Sequence, residues 1–518
     1  MSADRDFVSM PESNPSLESQ TDDEAIRHIG ELVDRTREVL TQEACAHGIK
    51  ICNEWLQKPL TPSQAALLNY YTANAWANLH ELHRTERVWE WEQPELEKQI
   101  LHLRVALMHD GFASLERVRQ CQIRVNLGNL LSHVGRFVDS LPYWQRAASD
   151  LPDFGMALGN LGMGLLSYAC YLSSQEQQLA FSRQAKELLD EATSLPLFED
   201  ARSAFRKRSD WIASYVASRE HREIDFDGHT LGSSEEEVRY RMWCLRERLF
   251  LNPLNDLTDR SLAAQDVLSA PSIVVALNEG PYYAGFFDQL KQEFVSARFL
   301  LWESKQARGP HYSDRRVPMV NTLDYPAYGL YAEKLRASFR LAYSVLDKIA
   351  VFLNHYLRLG IDYRGVHFRS VWYGDGKQKN GLHDCLVSIE NLPLRGLYWL
   401  SRDLFEDKPG FRDSLEPEGK DLSDIRNCLE HRYLKLHLPD WSGSRPESWL
   451  ADPLAYSVRV SDLQDKSVKL LTLVRSALLY LAFSVRSEEA KRARSRPTDK
   501  IVPASPLHRW EDDWKCPL

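Results

Sequence analysis

Apolar residues recur along most of this chain in alternating steps of three and four, the spacing of a helix that buries one face. The clearest run is Leu335, Phe339, Ala342, Leu346, Ile349 and Leu353. It predicts a long helix over Tyr331–Leu353. A second follows over Leu392–Phe405, a third over Asp421–Leu438 and a fourth over Ser461–Val485. Residues 22–220 are also helical in pattern, and repetitive: Asn126-Leu127-Gly128 returns as Asn160-Leu161-Gly162 after a 34-residue step. Between these two regions the pattern weakens, and 221–325 is read as a connecting region. It holds a short helix candidate over Trp243–Phe250 and a short buried strand or helix over Ser272–Leu277. His311, Asp314 and Arg315 fall in a loop before Pro318, read as a turn with solvated charge; the alternative is that they line a site. The insert Gly360–Leu382 is glycine-rich (YGDGKQKNG) and reads as an exposed hairpin or loop. Residues 1–21 are polar, with too little to bury, and read as disordered. Residues 487–518 read as a basic, partly disordered tail.

The repeated unit carries its own chemistry. Gly128, Gly135, Phe137, Trp144, Ala147 and Pro152 follow one another through 123–152. Small residues let two helices approach, aromatics fill the space between them, and proline ends the second helix. The unit resembles a tetratricopeptide repeat, with degenerate neighbours at Leu67–Leu82 and Ala185–Leu195. Stacked hairpins of this kind form a concave solenoid suited to a peptide or protein ligand. The alternative is a scaffold without a ligand.

Composition narrows the class. The 518 residues suffice for two or three domains, and 43% hydrophobic with 26% charged residues is a globular balance. A net charge of −9 argues against a protein that coats nucleic acid through its global field, while leaving room for a local basic site. Arg426, Arg432, Lys435, Arg445, Lys491, Arg492, Arg494, Arg496 and Lys500 offer that charge, although the last run also fits a solvated tail. The eight cysteines show no zinc spacing, so reduced thiols are expected. The N-terminus lacks an apolar signal core, and Leu470–Val485 contains Arg475 and is too short to span a bilayer. A cytoplasmic protein without membrane contact is expected. There is no P-loop, GxGxxG or HExxH, and neither a cofactor nor a metal is expected.

The chemistry concentrates in Arg426-Asn427-Cys428-Leu429-Glu430-His431. Arginine holds phosphate through a planar fork of donors, and histidine exchanges protons near neutral pH. At about 100° per residue, Leu422, Ile425, Leu429, Arg432 and Leu436 share a core face. Asn427, His431, Leu434 and Leu438 lie roughly opposite, with Asn427 and His431 as neighbours four apart. Asp421 or Ser423 is the expected cap and Pro439 the expected stop, which puts Arg426 near the helix N-terminus, where anions are favoured. The alternative is a charged helix that shows its Arg and His to solvent.

An Arg followed after four to six residues by a His, with a polar residue directly behind the Arg, resembles the signature of the HEPN superfamily (higher eukaryotes and prokaryotes nucleotide-binding). Four helices with the motif on the third are similar to its bundle plan. FLNPLNDL, NTLDYP, ENLPLRGLYWL and RNCLEHRYLKLH resemble a bacterial HEPN subfamily that carries TPR-like repeats ahead of the bundle. The expected architecture is mainly α: an N-terminal TPR-like α-solenoid over 22–220 and a C-terminal HEPN-type helical bundle over 326–486. The resemblance implies a metal-independent endoribonuclease, gated by a sensor or protein-binding region and often dimeric. Phage defence or toxin-like growth arrest would be its role. The rivals are a non-catalytic RNA or nucleotide binder and a TPR adaptor that dimerises through its bundle. In the enzyme reading RNA is the substrate, Arg426 holds the scissile phosphate and His431 transfers a proton. Asn427 orients the His or the phosphate. Asp347 braces Arg426 or fixes the His tautomer, unless it pairs with Lys348 or a base on an adjacent helix. Glu430 and His437 share Arg426's wheel direction as auxiliary partners. Leu434 and Leu438 would pack across a two-fold axis to bring two motifs together.

Overall fold

The computed structural model describes residues 21–83, 90–219, 224–276, 278–306, 309–320, 322, 324, 326–407, 414–438, 452–497, 502, 507–508 and 512–515. The expectations for residues 1–20, Pro439, Arg445 and Lys500 lie outside these. The architecture is mainly helical.

Among the described residues nine helices form the N-terminal part, each packed on the next: α1 (Asp22–Val39), α2 (Gln42–Trp55), α3 (Pro62–His83), α4 (Pro94–Met108), α5 (Arg117–His133), α6 (Phe137–Asp150), α7 (Gly155–Ala169), α8 (Gln175–Ser194) and α9 (Glu199–Ala217). The small residues act as the pattern requires. A Cβ on Gly128 would stand 2.6 Å from the Trp144 indole nitrogen, so α5 and α6 close only around glycine. Trp144 is buried and donates to Asn129 at 3.0 Å.

The connecting region holds more structure than its pattern suggests. After α10 (Glu235–Arg246) comes the 25-residue helix α11 (Tyr282–Gln306), which packs along α12 (Leu330–Tyr356). Phe287, Leu290, Phe294, Ala297 and Leu301 of α11 are buried there, so α11 is a full member of the bundle. Its stripe is diluted by exposed aromatics such as Tyr282 and Phe299, which hides it from a periodicity reading. The bundle continues with α13 (Asp384–Val387), α14 (Leu392–Ser401), α15 (Gly419–His431) and α16 (Val460–Arg494). Ser272–Ala276 adopts neither helix nor strand.

Three expected boundaries move. Helix α14 stops at Ser401 rather than running to Phe405, because Arg402 and Asp403 turn into buried ion pairs. The fourth helix runs on to Arg494, so Lys491 and Arg492 are helical rather than tail. Arg492 meets Glu489 at 2.8 Å and lies over the Tyr356 ring. Helix α15 ends at His431, and Tyr433–His437 forms the strand β1, parallel to β2 (Ala455–Arg459). On its other side β1 meets Pro326 and Ala327, whose N–H donates to the Leu436 carbonyl at 2.6 Å. Lys435 is buried between Asp324 at 2.7 Å and Asp452 at 2.8 Å. Backbone partners on both sides and a satisfied buried ammonium outweigh the helix propensity of Leu-Lys-Leu.

The two halves are joined through their cores. Arg104 of α4 forks onto Asp403 at 2.6 and 3.0 Å and also donates to the Leu415 carbonyl at 3.0 Å. Arg136 donates to the same carboxylate at 2.5 Å. Glu97 holds Arg402 through two bonds of 2.7 and 3.0 Å. Arg475 of α16 forks onto Asp256, which also accepts from Tyr168 of α7 at 2.9 Å. Closest of all is a crossing of Gly135, at φ +96°, with Gly396 of α14, where a Cβ on either would strike the other's backbone. Helix α16 is long and apolar enough to cross a membrane by composition, yet most of that stretch is buried in this core.

Candidate functional site

Arg426 stands in the middle of α15, two turns in, because the helix begins at Gly419. The expected help of a helix N-terminus is therefore absent. Asp421 pairs instead with Lys466 at 3.2 Å, and Ser423 is buried. Leu422, Ile425 and Cys428 bury the opposite face of α15, which turns Arg426 and Asn427 toward α12.

Arg426 is held on three sides. Its Nη1 donates to Asn427 Oδ1 at 3.1 Å, Nη2 lies 3.6 Å from Asp347 Oδ2, and the guanidinium sits over the Tyr343 ring. Asp347, the acid expected to brace Arg426, thus stands beside it on α12, while Lys348 pairs with Glu293. Burial, then the Asp347 carboxylate, push the Tyr343 hydroxyl up, so it stays a neutral donor. These groups border a polar cavity of about 280 Å³, walled also by His367, Arg369, Glu406 and Asp407.

His367 and Arg369 come from the segment read as an exposed loop. The chain turns back after α12, where Asn354 exchanges two bonds with Ile361 at 2.8 and 3.1 Å. Phe368, Arg369, Val371, Trp372 and Tyr373 are then buried. Asp347 Oδ1 accepts the Phe368 N–H at 3.0 Å and lies 3.9 Å from His367 Nδ1. Burial, and then the neighbouring Arg402 cation, push the Arg369 pKa down to about 10. The run Val366-His-Phe-Arg-Ser-Val-Trp-Tyr373 is too apolar for a solvated loop, which is the signal that could have revealed it.

His431 is placed differently. It closes α15, exposed, about 6 Å along the axis from Asn427, and does not border the cavity. It has no hydrogen-bond or ion-pair partner among the described residues. Glu430 is exposed beside it. His437 sits on β1, so it shares no helix face with Arg426. Leu434 is buried within this chain and cannot pack across a two-fold axis; Leu438 is exposed.

Residues 274–488 match the family model described as LA2681-like HEPN. This span is a HEPN domain. The matched span takes in α11 through most of α16, and its ends meet: the Val274 N–H donates to Glu489 at 3.3 Å. The HEPN domain therefore starts well before residue 326 and includes α11. Comparison with curated proteins and comparison with solved structures give no match. A HEPN domain points to a nuclease or RNA-binding role in general.

Proposed function

We propose that this protein is a metal-independent endoribonuclease of HEPN type. The supporting observation is Arg426, fixed by Asp347 and Asn427 at the rim of a polar cavity, with His431 one helical turn beyond Asn427. RNA brings its own nucleophile, the 2′-hydroxyl. Arg426 holds the scissile phosphate and counters the charge that grows on it, and His431 transfers a proton. Asn427 keeps the guanidinium turned to the phosphate.

A second copy of the chain would meet this one at the exposed end of α15, around His431 to Tyr433, and assemble a composite site. The N-terminal, tetratricopeptide-like array acts as a sensor for a protein or peptide. Arg104 supports that reading, since it bonds Asp403 and Leu415 on either side of the stretch that carries Glu406 and Asp407 to the cavity. A cytoplasmic role in phage defence or growth arrest fits such gating, by analogy of fold alone.

The test compares wild type with Arg426→Ala and His431→Ala on labelled single-stranded RNA and tRNA in EDTA. Cleavage to cyclic-phosphate ends by wild type, reduced about 10²- to 10⁴-fold in both variants, is expected. A second reading, a binding module that grips phosphate without cutting it, is favoured by the distance of His431 from the cavity. RNA binding that needs Arg426 but not His431, without cleavage, would select it.

A further inference from the structure

Cleavage of RNA by its 2′-hydroxyl needs two proton transfers, and α15 offers one histidine for them. The structure puts another imidazole, that of His367, on the wall of the cavity that Arg426 borders. We propose that His367 is the general base of this site, oriented by Asp347, with His431 as the general acid. The proposal rests on the ribonuclease reading.

Three observations carry it. His367 and Arg426 border one cavity, whose volume of about 280 Å³ suits one sugar-phosphate unit. Asp347 stands between both: Oδ2 lies 3.6 Å from Arg426 Nη2, and Oδ1 lies 3.9 Å from His367 Nδ1 while accepting the Phe368 N–H at 3.0 Å. The peptide bond to His367's neighbour is thereby fixed on α12. In the proposed step Nδ1, the nitrogen on the Asp347 side, keeps the proton as the ring closes on the carboxylate, and Nε2 offers its lone pair to the substrate. The other ionisable groups that border the cavity with His367 are Tyr343 from α12, Arg426 from α15, Glu406 and Asp407 beyond α14, and Arg369 two residues on.

The step balances. His367 Nε2 takes the 2′-hydroxyl proton as the O2′–P bond forms. The P–O5′ bond breaks, and O5′ receives the proton of His431. His367 ends protonated and His431 neutral, and exchange with water restores both. The products are a 2′,3′-cyclic phosphate and a free 5′-hydroxyl.

The experiment uses the full chain and two substrates: an RNA oligonucleotide and uridine 3′-(4-nitrophenyl phosphate), whose leaving group needs no acid. His367→Gln should lose about 10²- to 10⁴-fold on both substrates and lose the rise of rate with pH on the acid side. His431→Ala should lose as much on RNA and recover on the nitrophenyl ester. Free imidazole should restore part of the activity of His367→Ala, which a folding defect would not permit. Wild-type rates in His367→Gln with a dead His431→Ala overturn the proposal and leave the ribonuclease reading standing. Recovery of His367→Gln on the ester overturns the assignment of base. If wild type cuts neither substrate, the ribonuclease reading fails and the proposal falls with it.

Discussion

Asp347 is the side chain on which the site's geometry turns, since it accepts the Phe368 N–H and lies within 4 Å of both Arg426 and His367. Its ion pair with Arg426 is long and partly solvated, so it contributes at most about 1 kcal/mol to stability. Asp347→Asn should therefore leave the urea midpoint nearly unchanged. Activity on RNA should fall at least about tenfold, because Arg426 and His367 lose their common support. A large drop in midpoint with unchanged activity would sink this view. The places of Asp347 and Asn427 beside Arg426 were legible in sequence: one sits just off an unbroken apolar stripe, the other follows the Arg directly. His367 and Arg369 were not, because the glycines at 374, 376 and 381 outweighed the aromatic run ahead of them.

At the scale of elements, the long helices were readable wherever one face stays apolar for three turns or more, as in α12 and α16. Helix α15 shows the limit. Leu434 and Leu436 continue its helical spacing, yet they are buried as a strand because β2 and Ala327 offer backbone partners that sequence cannot place. Two glycine substitutions should act with opposite sign. Gly285 lies in α11 with open space around its Cβ position, so Gly285→Ala should raise the unfolding midpoint, by about 0.5–1 kcal/mol. Gly396→Ala drives a methyl into the Gly135 backbone and should lower it by more than that. Chemical denaturation of both variants checks the pair.

The whole molecule is held by buried ion pairs across its two halves. Burial alone would raise the Asp403 carboxyl, but Arg104 and Arg136 override it and hold its pKa below the usual carboxylate range. A depressed pKa contributes stability that is complete above the unfolded value, near 4, and is lost as pH falls toward the folded value. Thermal stability should thus drop steeply below about pH 4. Asp403→Asn should flatten that dependence while costing about 3 kcal/mol at neutral pH, since Arg104 and Arg136 lose their shared carboxylate and keep only Glu416 and Asp139. Residues 21–219 and 224–497, produced as separate chains, should associate when mixed and aggregate alone. Gel filtration of each alone and of the mixture decides it. The junction was beyond the reach of sequence, since residues such as Arg104 and Asp403 lie 299 positions apart.

The crossing of Gly135 with Gly396 has a consequence for descent. Neither position tolerates a side chain while the other's backbone remains where it is, so neither half can exchange freely with a counterpart from another protein. A shuffled chain that pairs this array with a foreign HEPN domain would inherit a steric mismatch unless glycine arrived on both sides. Among relatives the two sites should vary together or not at all, and a lineage that has lost one glycine should show a re-angled joint.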